Sequence, residues 1–254
     1  MIEVLTLTDY NGNAYTFPGS FWISDDPFSK NISVQKTFYS AGGRNISDST
    51  INPRTVGVKG TLYANGGQTY EQQRTALMSA INKGGFLSRN FAGGSNRFLE
   101  VVILDCAFGP EEGLALKDVE LTFSCEFPLW QETTPMTDTT VVAGNDTLTI
   151  DNSLSEHIVK PVITITADQA ANLPSVKMIQ NSDGGMVFEY NDPSFLIGDV
   201  LEIDCEHGTV KRNGTDSIMF FKPARFFRLQ HMINSLDYEG GACTIVFSFR
   251  TVYL

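Results

Sequence analysis

The chain has 254 residues, 42% of them apolar, and a formal charge of −11 from 18 Lys and Arg against 29 Asp and Glu. The length suits one large or two smaller globular domains, and the apolar content excludes a disordered chain. The acidity excludes a basic nucleic-acid-binding face, though not a channel through which nucleic acid passes without adhering.

The first turn signal is Asn11-Gly12-Asn13, which predicts a hairpin of residues 2–8 and 14–18. Residues 1–3 lack the basic and apolar regions of a signal peptide, and no apolar run is long enough to span a bilayer. Both point to a chain folded in a cytoplasm. Trp22, Ile23, Ile32, Val34 and Phe38 follow, interrupted by Asp25-Asp26-Pro27, and residues 31–39 read as a strand. Residues 40–53 are polar and Gly-rich and read as an exposed loop, either an interaction arm or a plain flexible connection.

The stretch 54–104 is the organising centre. Val56, Val58, Gly60 and Leu62 alternate with Thr55, Lys59 and Thr61, the period of a strand with one buried face. Asn65-Gly66-Gly67 makes a turn. Thr69 with Gln72 forms a capping-box pattern, so a helix starts there. Tyr70, Leu77, Met78 and Ile81 form its apolar stripe, with Glu71, Arg74 and Lys83 facing outward. Gly84 and Gly85 end the helix, a loop follows, and residues 97–104 return as a strand. No other substantial helix is expected.

Residues 115–127 alternate cleanly, with Val119, Leu121, Phe123, Cys125 and Phe127 on one face. Pro128 ends the strand, and residues 131–138 read as a linker at a domain boundary. Ten short strands are expected after it: 139–143, 146–150, 158–166, 175–181, 186–190, 200–205, 208–212, 217–221, 225–230 and 243–253. The Gly, Asn and Asp turns between them indicate a β-sandwich. Apolar residues at the C-terminus are expected to be buried.

The search for chemistry is negative. Cys106, Cys125, Cys205 and Cys243 are widely spaced and read as buried free thiols. His157, His207 and His231 make no His/Cys pair at zinc-ligand spacing. The acid pairs Glu111-Glu112 and Asp204/Glu206 read as solvated edges, the latter with cation binding as the sharper alternative. Lys211-Arg212 is too short for a basic patch. Cys243 lacks a base nearby in sequence. Sequons at Asn31, Asn45, Asn145 and Asn213 read as turn and edge residues. Phe220, Phe221, Phe226 and Phe227 flank Pro223, and consecutive aromatics require either two covered faces or an interface. No catalytic, cofactor-binding or metal-binding residue is assigned.

Three pieces in order carry a resemblance. They are residues 54–63 with Tyr70-Glu71-Gln72-Gln73-Arg74 and Arg97-Phe98-Leu99-Glu100-Val101; then Phe127-Pro128-Leu129-Trp130; then residues 197–204 with Gly208-Thr209-Val210 and Asn213-Gly214. In them the chain resembles the distal tail proteins (Dit) of long-tailed phages, although Phe127 stands where that family commonly has Asp. The resemblance implies a mainly β fold: an N-terminal β-sandwich or split-barrel domain with one helix (1–132, joined by a last strand at 250–254) and a C-terminal galectin-like β-sandwich (133–249). It further implies a virion protein of the tail tip, assembled in the host cytoplasm. A homohexameric ring would join the tail tube protein to the tail tip protein. It would meet the tape measure and receptor-binding proteins and pass DNA through its opening without specific binding. Two other readings stay open. One is a carbohydrate-binding module in the C-terminal sandwich, against which both Trp, 22 and 130, lie outside it. The other is a polysaccharide-cleaving enzyme, for which no positioned carboxylate pair is legible.

Overall fold

The computed structural model describes residues 3–25, 30–35, 45–51, 53–64, 67–82, 84–91, 96–109, 116–125, 127, 129–168, 176–181, 185–222 and 226–253. The expectations for Asp26-Pro27, Phe38, residues 40–44, Asn65-Gly66, Lys83, Glu111-Glu112, Pro128, Pro223, residues 182–184 and Leu254 lie outside them. The chain divides into two compact units, Met1–Thr133 and Thr134–Tyr253.

In the first unit the strands are β1 (Glu3–Thr8), β2 (Ala14–Thr16), β3 (Trp22–Asp25), β4 (Lys30–Gln35), β5 (Asn45–Ile51), β6 (Arg54–Tyr63), β7 (Gly85–Phe91), β8 (Arg97–Phe108), β9 (Leu116–Cys125) and β10 (Trp130–Glu132), with helix α1 (Tyr70–Ile81) after β6. The main sheet runs β2-β1-β7-β8-β9-β6-β3, with β10 added along β8. β8 is a shared strand: Arg97–Val101 pairs with β7, and Val102–Phe108 pairs with β9. A bulge between Ile103 and Asp105, just inside the β9-paired half, bends the strand there. That is the split-barrel arrangement. The hairpin at its start is closed by Asp9, whose carboxylate accepts the Asn11 and Asn13 amides at 2.9 and 2.8 Å.

α1 begins as its sequence dictates. Thr69 Oγ1 accepts the Gln72 amide at 3.3 Å, and Gln72 Oε1 accepts the Thr69 amide at 2.8 Å. Leu77 and Ile81 are fully buried, and Tyr70 and Met78 half-buried. Arg74 leans its guanidinium over Phe108, and Lys117 reaches over Tyr70, 5.1 and 5.2 Å from the ring centroids. α1 is the one α-helix among the described residues.

Three readings need correction in this unit. Residues 45–51, expected as loop, are strand β5 on β4, with Asn45 opposite Gln35 and Ile51 opposite Lys30. Five of its seven residues are polar, with Ile only at 46 and 51, so the sequence shows no period-2 alternation there. The loop expected after α1 is strand β7. Gly84 and Gly85 both have positive φ, and a Cβ on Gly85 would lie 2.1 Å from the Thr8 carbonyl oxygen. The glycines therefore let β7 start against β1, as well as ending the helix. The linker expected at 131–138 shrinks to residues 133–135, between β10 and the next strand.

The second unit contains β11 (Met136–Val142), β12 (Asp146–Asp151), β13 (Val162–Ala167), β14 (Val176–Gln180), β15 (Met186–Tyr190), β16 (Val200–Asp204), β17 (Thr209–Arg212), β18 (Thr215–Asp216), β19 (Ile233–Glu239), β20 (Cys243–Phe249) and β21 (Val252–Tyr253). A six-stranded sheet, β11-β20-β13-β16-β17-β18, and a four-stranded one, β12-β19-β14-β15, form a sandwich. The long strands bury alternate residues: Ile163 and Ile165 from one sheet, Met178, Leu236 and Tyr238 from the other. β19 escapes the sequence because Asn234 occupies an inward position. It is fully buried, and its side chain bonds the Gln230 amide and the Gln230 and Met232 carbonyls at 2.8, 3.0 and 2.8 Å. Among the described residues, the strands expected at 217–221 and 225–230 are not strands. Ile218–Phe220 is a 3-10 turn, and only single bridges tie Phe221 to Tyr190 and Leu229 to Val159.

Candidate interaction surfaces

The sequence candidates for chemistry resolve into structure. Asp204 Oδ1 accepts the Glu206 and His207 amides at 2.9 and 3.0 Å, and its Oδ2 meets His207 Nδ1 at 2.7 Å. Burial alone would raise this carboxyl, but these bonds hold it below the usual range. It closes the β16–β17 turn, and Glu206 points elsewhere, into solvent. Among the described residues no group of three His, Cys, Asp or Glu converges as a metal would require. Cys125, Cys205 and Cys243 are buried, Cys106 is half-buried, and all four are free thiols. Burial pushes Cys205 up to about 12 and Cys243 to about 11. Thiols so protonated are poor nucleophiles.

Two residues of the third piece of the resemblance, Asp199 and Asn213, join a polar network around Arg212. Arg212 Nη1 donates to Asp192 Oδ2 and Ser194 Oγ, both at 2.6 Å, and its Nε lies 3.3 Å from Asp199 Oδ2. Asp199 also accepts the Leu196 amide at 2.8 Å and Asn213 Nδ2 at 2.6 Å. Tyr190 and Ser217 complete the network: the Tyr190 hydroxyl donates to Asp192 Oδ2 at 3.1 Å and lies 2.6 Å from Ser217 Oγ. Burial would raise Asp192, but the bonds from Ser194, Arg212 and Tyr190 outweigh it and hold the carboxyl at about 2. Asn213 sits at φ 49°, a conformation Asn tolerates better than most residues. The motif thus pins the 191–199 loop to the β16–β17 hairpin. Its partners are up to 27 residues apart, so spacing along the chain does not reveal it.

The Phe pairs are mostly interior. Phe227 and Phe221 are buried, and Phe188 touches both at centroid distances of 4.9 and 5.4 Å. Phe226 stacks on Phe221 at 5.1 Å. The 3-10 turn covers these rings by folding the chain, where a strand would have needed two covered faces.

Open surface lies in the first unit. A groove of about 530 Å³ is lined by Tyr10, Glu100, Val102, Leu104, Ser124 and Phe127. Leu104, at the bulge, is 59% exposed, and Val102 is exposed as well. Sequence reading missed this groove; the unbroken apolar run 101–104 is the signal that could have found it, since a strand of that composition has apolar side chains on both faces. A second groove, about 340 Å³, is lined by Trp22, Phe108, Lys59, Asp118 and Glu120 among others. The β4–β5 ribbon pairs with no other strand among the described residues. In the second unit, Val141 on edge strand β11 and Met219 in the 3-10 turn are exposed apolar residues.

Residues 155–253 match the model of the siphovirus-type tail component, C-terminal domain. No curated protein sequence matches. Among solved structures, the Dit (gp 19.1) hub protein of phage SPP1 shares the fold over 99% of this chain and all of its own, with a TM-score of 0.70 and 15% identity. A chain of the phage P2 baseplate in its activated conformation with Ca matches over 98% of each chain, with a TM-score of 0.51 and 8% identity. At these identities the likeness is one of fold. Residues 155–253 are thus similar to the siphovirus-type tail component C-terminal domain, the whole chain shares the fold of the SPP1 Dit protein, and the resemblance to the phage tail-component family is borne out.

Proposed function

We propose that this protein is a structural component of a phage tail tip and not an enzyme. Six copies close into a ring that joins the tail tube to the tip and passes DNA, and the C-terminal sandwich is a docking platform for receptor-binding proteins. The observation that carries this reading is a tail-component domain over 155–253 on a chain whose whole length follows a hub protein's fold. The β4–β5 ribbon supports ring closure. An isolated two-stranded ribbon is marginal in water, and one that pairs with no further strand among the described residues is stabilised by adding to a neighbour's sheet. Repeated around an axis, that head-to-tail contact closes a cyclic ring. The net charge of −11 supports passage of DNA without adhesion. The alternative of a carbohydrate module in the C-terminal sandwich is not favoured, because that unit contains no Trp.

The test is solution mass by sedimentation, for the wild type and for Ser49→Pro, which removes an amide from the middle of β5. The wild type is expected at a multiple of the 28.0 kDa chain mass, and the variant at the single-chain mass. A wild type that stays single at high concentration, alone and with tail-tube and tip proteins, overturns the proposal.

A further inference from the structure

The outer face of the N-terminal sheet carries one exposed indole. Trp22 is 53% exposed on edge strand β3. Across the sheet its row continues as Lys59, Glu120 and Ala107. The adjoining row places Thr61 beside Asp118. Lys59 Nζ pairs with Glu120 Oε1 at 2.9 Å, and Thr61 Oγ1 donates to Asp118 Oδ1 at 3.0 Å. Among the described residues this leaves the second oxygen of each carboxylate free to accept. Trp22 flanks these groups in the groove of about 340 Å³, within the range of small-molecule sites; the Phe108 ring, next to Ala107 in the strand, turns to the other face and lies under Arg74.

We propose that this groove binds an uncharged saccharide, with a pyranose face stacked on Trp22 and its hydroxyls donating to Glu120 and Asp118. The chemistry selects the ligand. The electron-rich face of an indole attracts the polarised C–H groups of a sugar ring. Ionised carboxylates accept only, so the ligand must supply hydroxyl or amide donors. Two carboxylates against one lysine leave a negative charge, which disfavours phosphates and anionic sugars. A protein partner lying flat here would have to desolvate the exposed Lys59–Glu120 pair, a cost that its mutual attraction does not reliably repay. A sugar bonds to the pair while its outer edge stays wet.

The two tryptophans make the test direct. Trp130 is 2% exposed, so a ligand-dependent change in emission reports Trp22. The full chain is titrated with glucose, galactose, N-acetylglucosamine and chitotriose while tryptophan fluorescence is followed. A saturable blue shift with at least one of them is expected. By calorimetry, Trp22→Ala should weaken binding about tenfold or more, Trp22→Phe should retain part of it, and Glu120→Gln should weaken it without unfolding the protein. The proposal is overturned if none of the four sugars gives a saturable change, or if Trp22→Ala binds like the wild type. It is also overturned if Trp22→Ala instead alters the solution mass of the assembly, which would assign the indole to a contact between copies.

Discussion

Replacing Gly60 by alanine adds one methyl group at the place where β6 and the segment before β3 come closest. The new Cβ would lie 2.3 and 2.6 Å from Cγ and Cδ2 of Phe21 and 2.7 Å from its Cα. Carbon atoms settle about 3.5–4.0 Å apart, and Phe21 is buried against Phe17 with centroids 5.3 Å apart. The ring therefore cannot simply swing away, and one of the three contacts is backbone. Inserting a methylene into a packed core costs about 1–3 kcal/mol, and this site belongs at the upper end. Alanine recovers about 0.4–1 kcal/mol by restricting the unfolded chain, which leaves about 2 kcal/mol of net destabilisation. For a unit of this size that lowers the melting temperature by about 6–10 °C. Scanning calorimetry should show the shift in the first unit's transition and not in the second's. The same substitution on a Phe21→Ala background loses the two ring contacts, so its cost should fall by at least about 1 kcal/mol, the signature of direct coupling. A Gly60→Ala protein within about 0.5 kcal/mol of wild type, or an equal cost on both backgrounds, refutes the reasoning.

Acid should act through the 190–217 network. Asp192 titrates at about 2 in the folded protein against an ordinary 3.8, so its contribution is complete above about pH 4 and is lost as the pH falls toward 2. Asp199 and Asp204 are lowered too and act in the same direction. Urea midpoints should therefore drop between about pH 5 and pH 2. Asp192→Asn should cost about 3 kcal/mol at neutral pH and flatten the drop; an unchanged acid slope in that variant would count against the assignment. Thiol titration with a disulfide reagent should modify Cys106 alone in the native protein, and Cys125, Cys205 and Cys243 only after denaturation. Equal, rapid reaction of all four would contradict their burial.

Strands with one polar and one apolar face were legible. Residues 54–63 and 116–125 alternate because a single face packs, and the Thr69–Gln72 box announces α1 because both halves of the cap lie within one turn. Elements whose inward or outward residues break that pattern were not legible. β19 carries Asn234 into the core as a hydrogen-bonding clamp. β5 is polar except for Ile46 and Ile51, which do not alternate. β7 begins at glycines that also stop a helix. The Arg212 network joins residues that touch only after the sandwich has formed, so its motif could be recognised but not explained from sequence. Neither groove was read from the sequence. The run 101–104 has too many apolar residues for one buried face, but nothing in the sequence places Trp22 beside Lys59, Glu120 and Asp118, since that row exists only once β3, β6 and β9 are in register.

The central claim is that copies of this chain close on one another. Electron microscopy of the purified full-length protein tests it most directly. The account predicts particles with six-fold symmetry and a central opening, with a mass six times the 28.0 kDa chain. Single compact particles without an opening, at concentrations where tail components normally assemble, would contradict it.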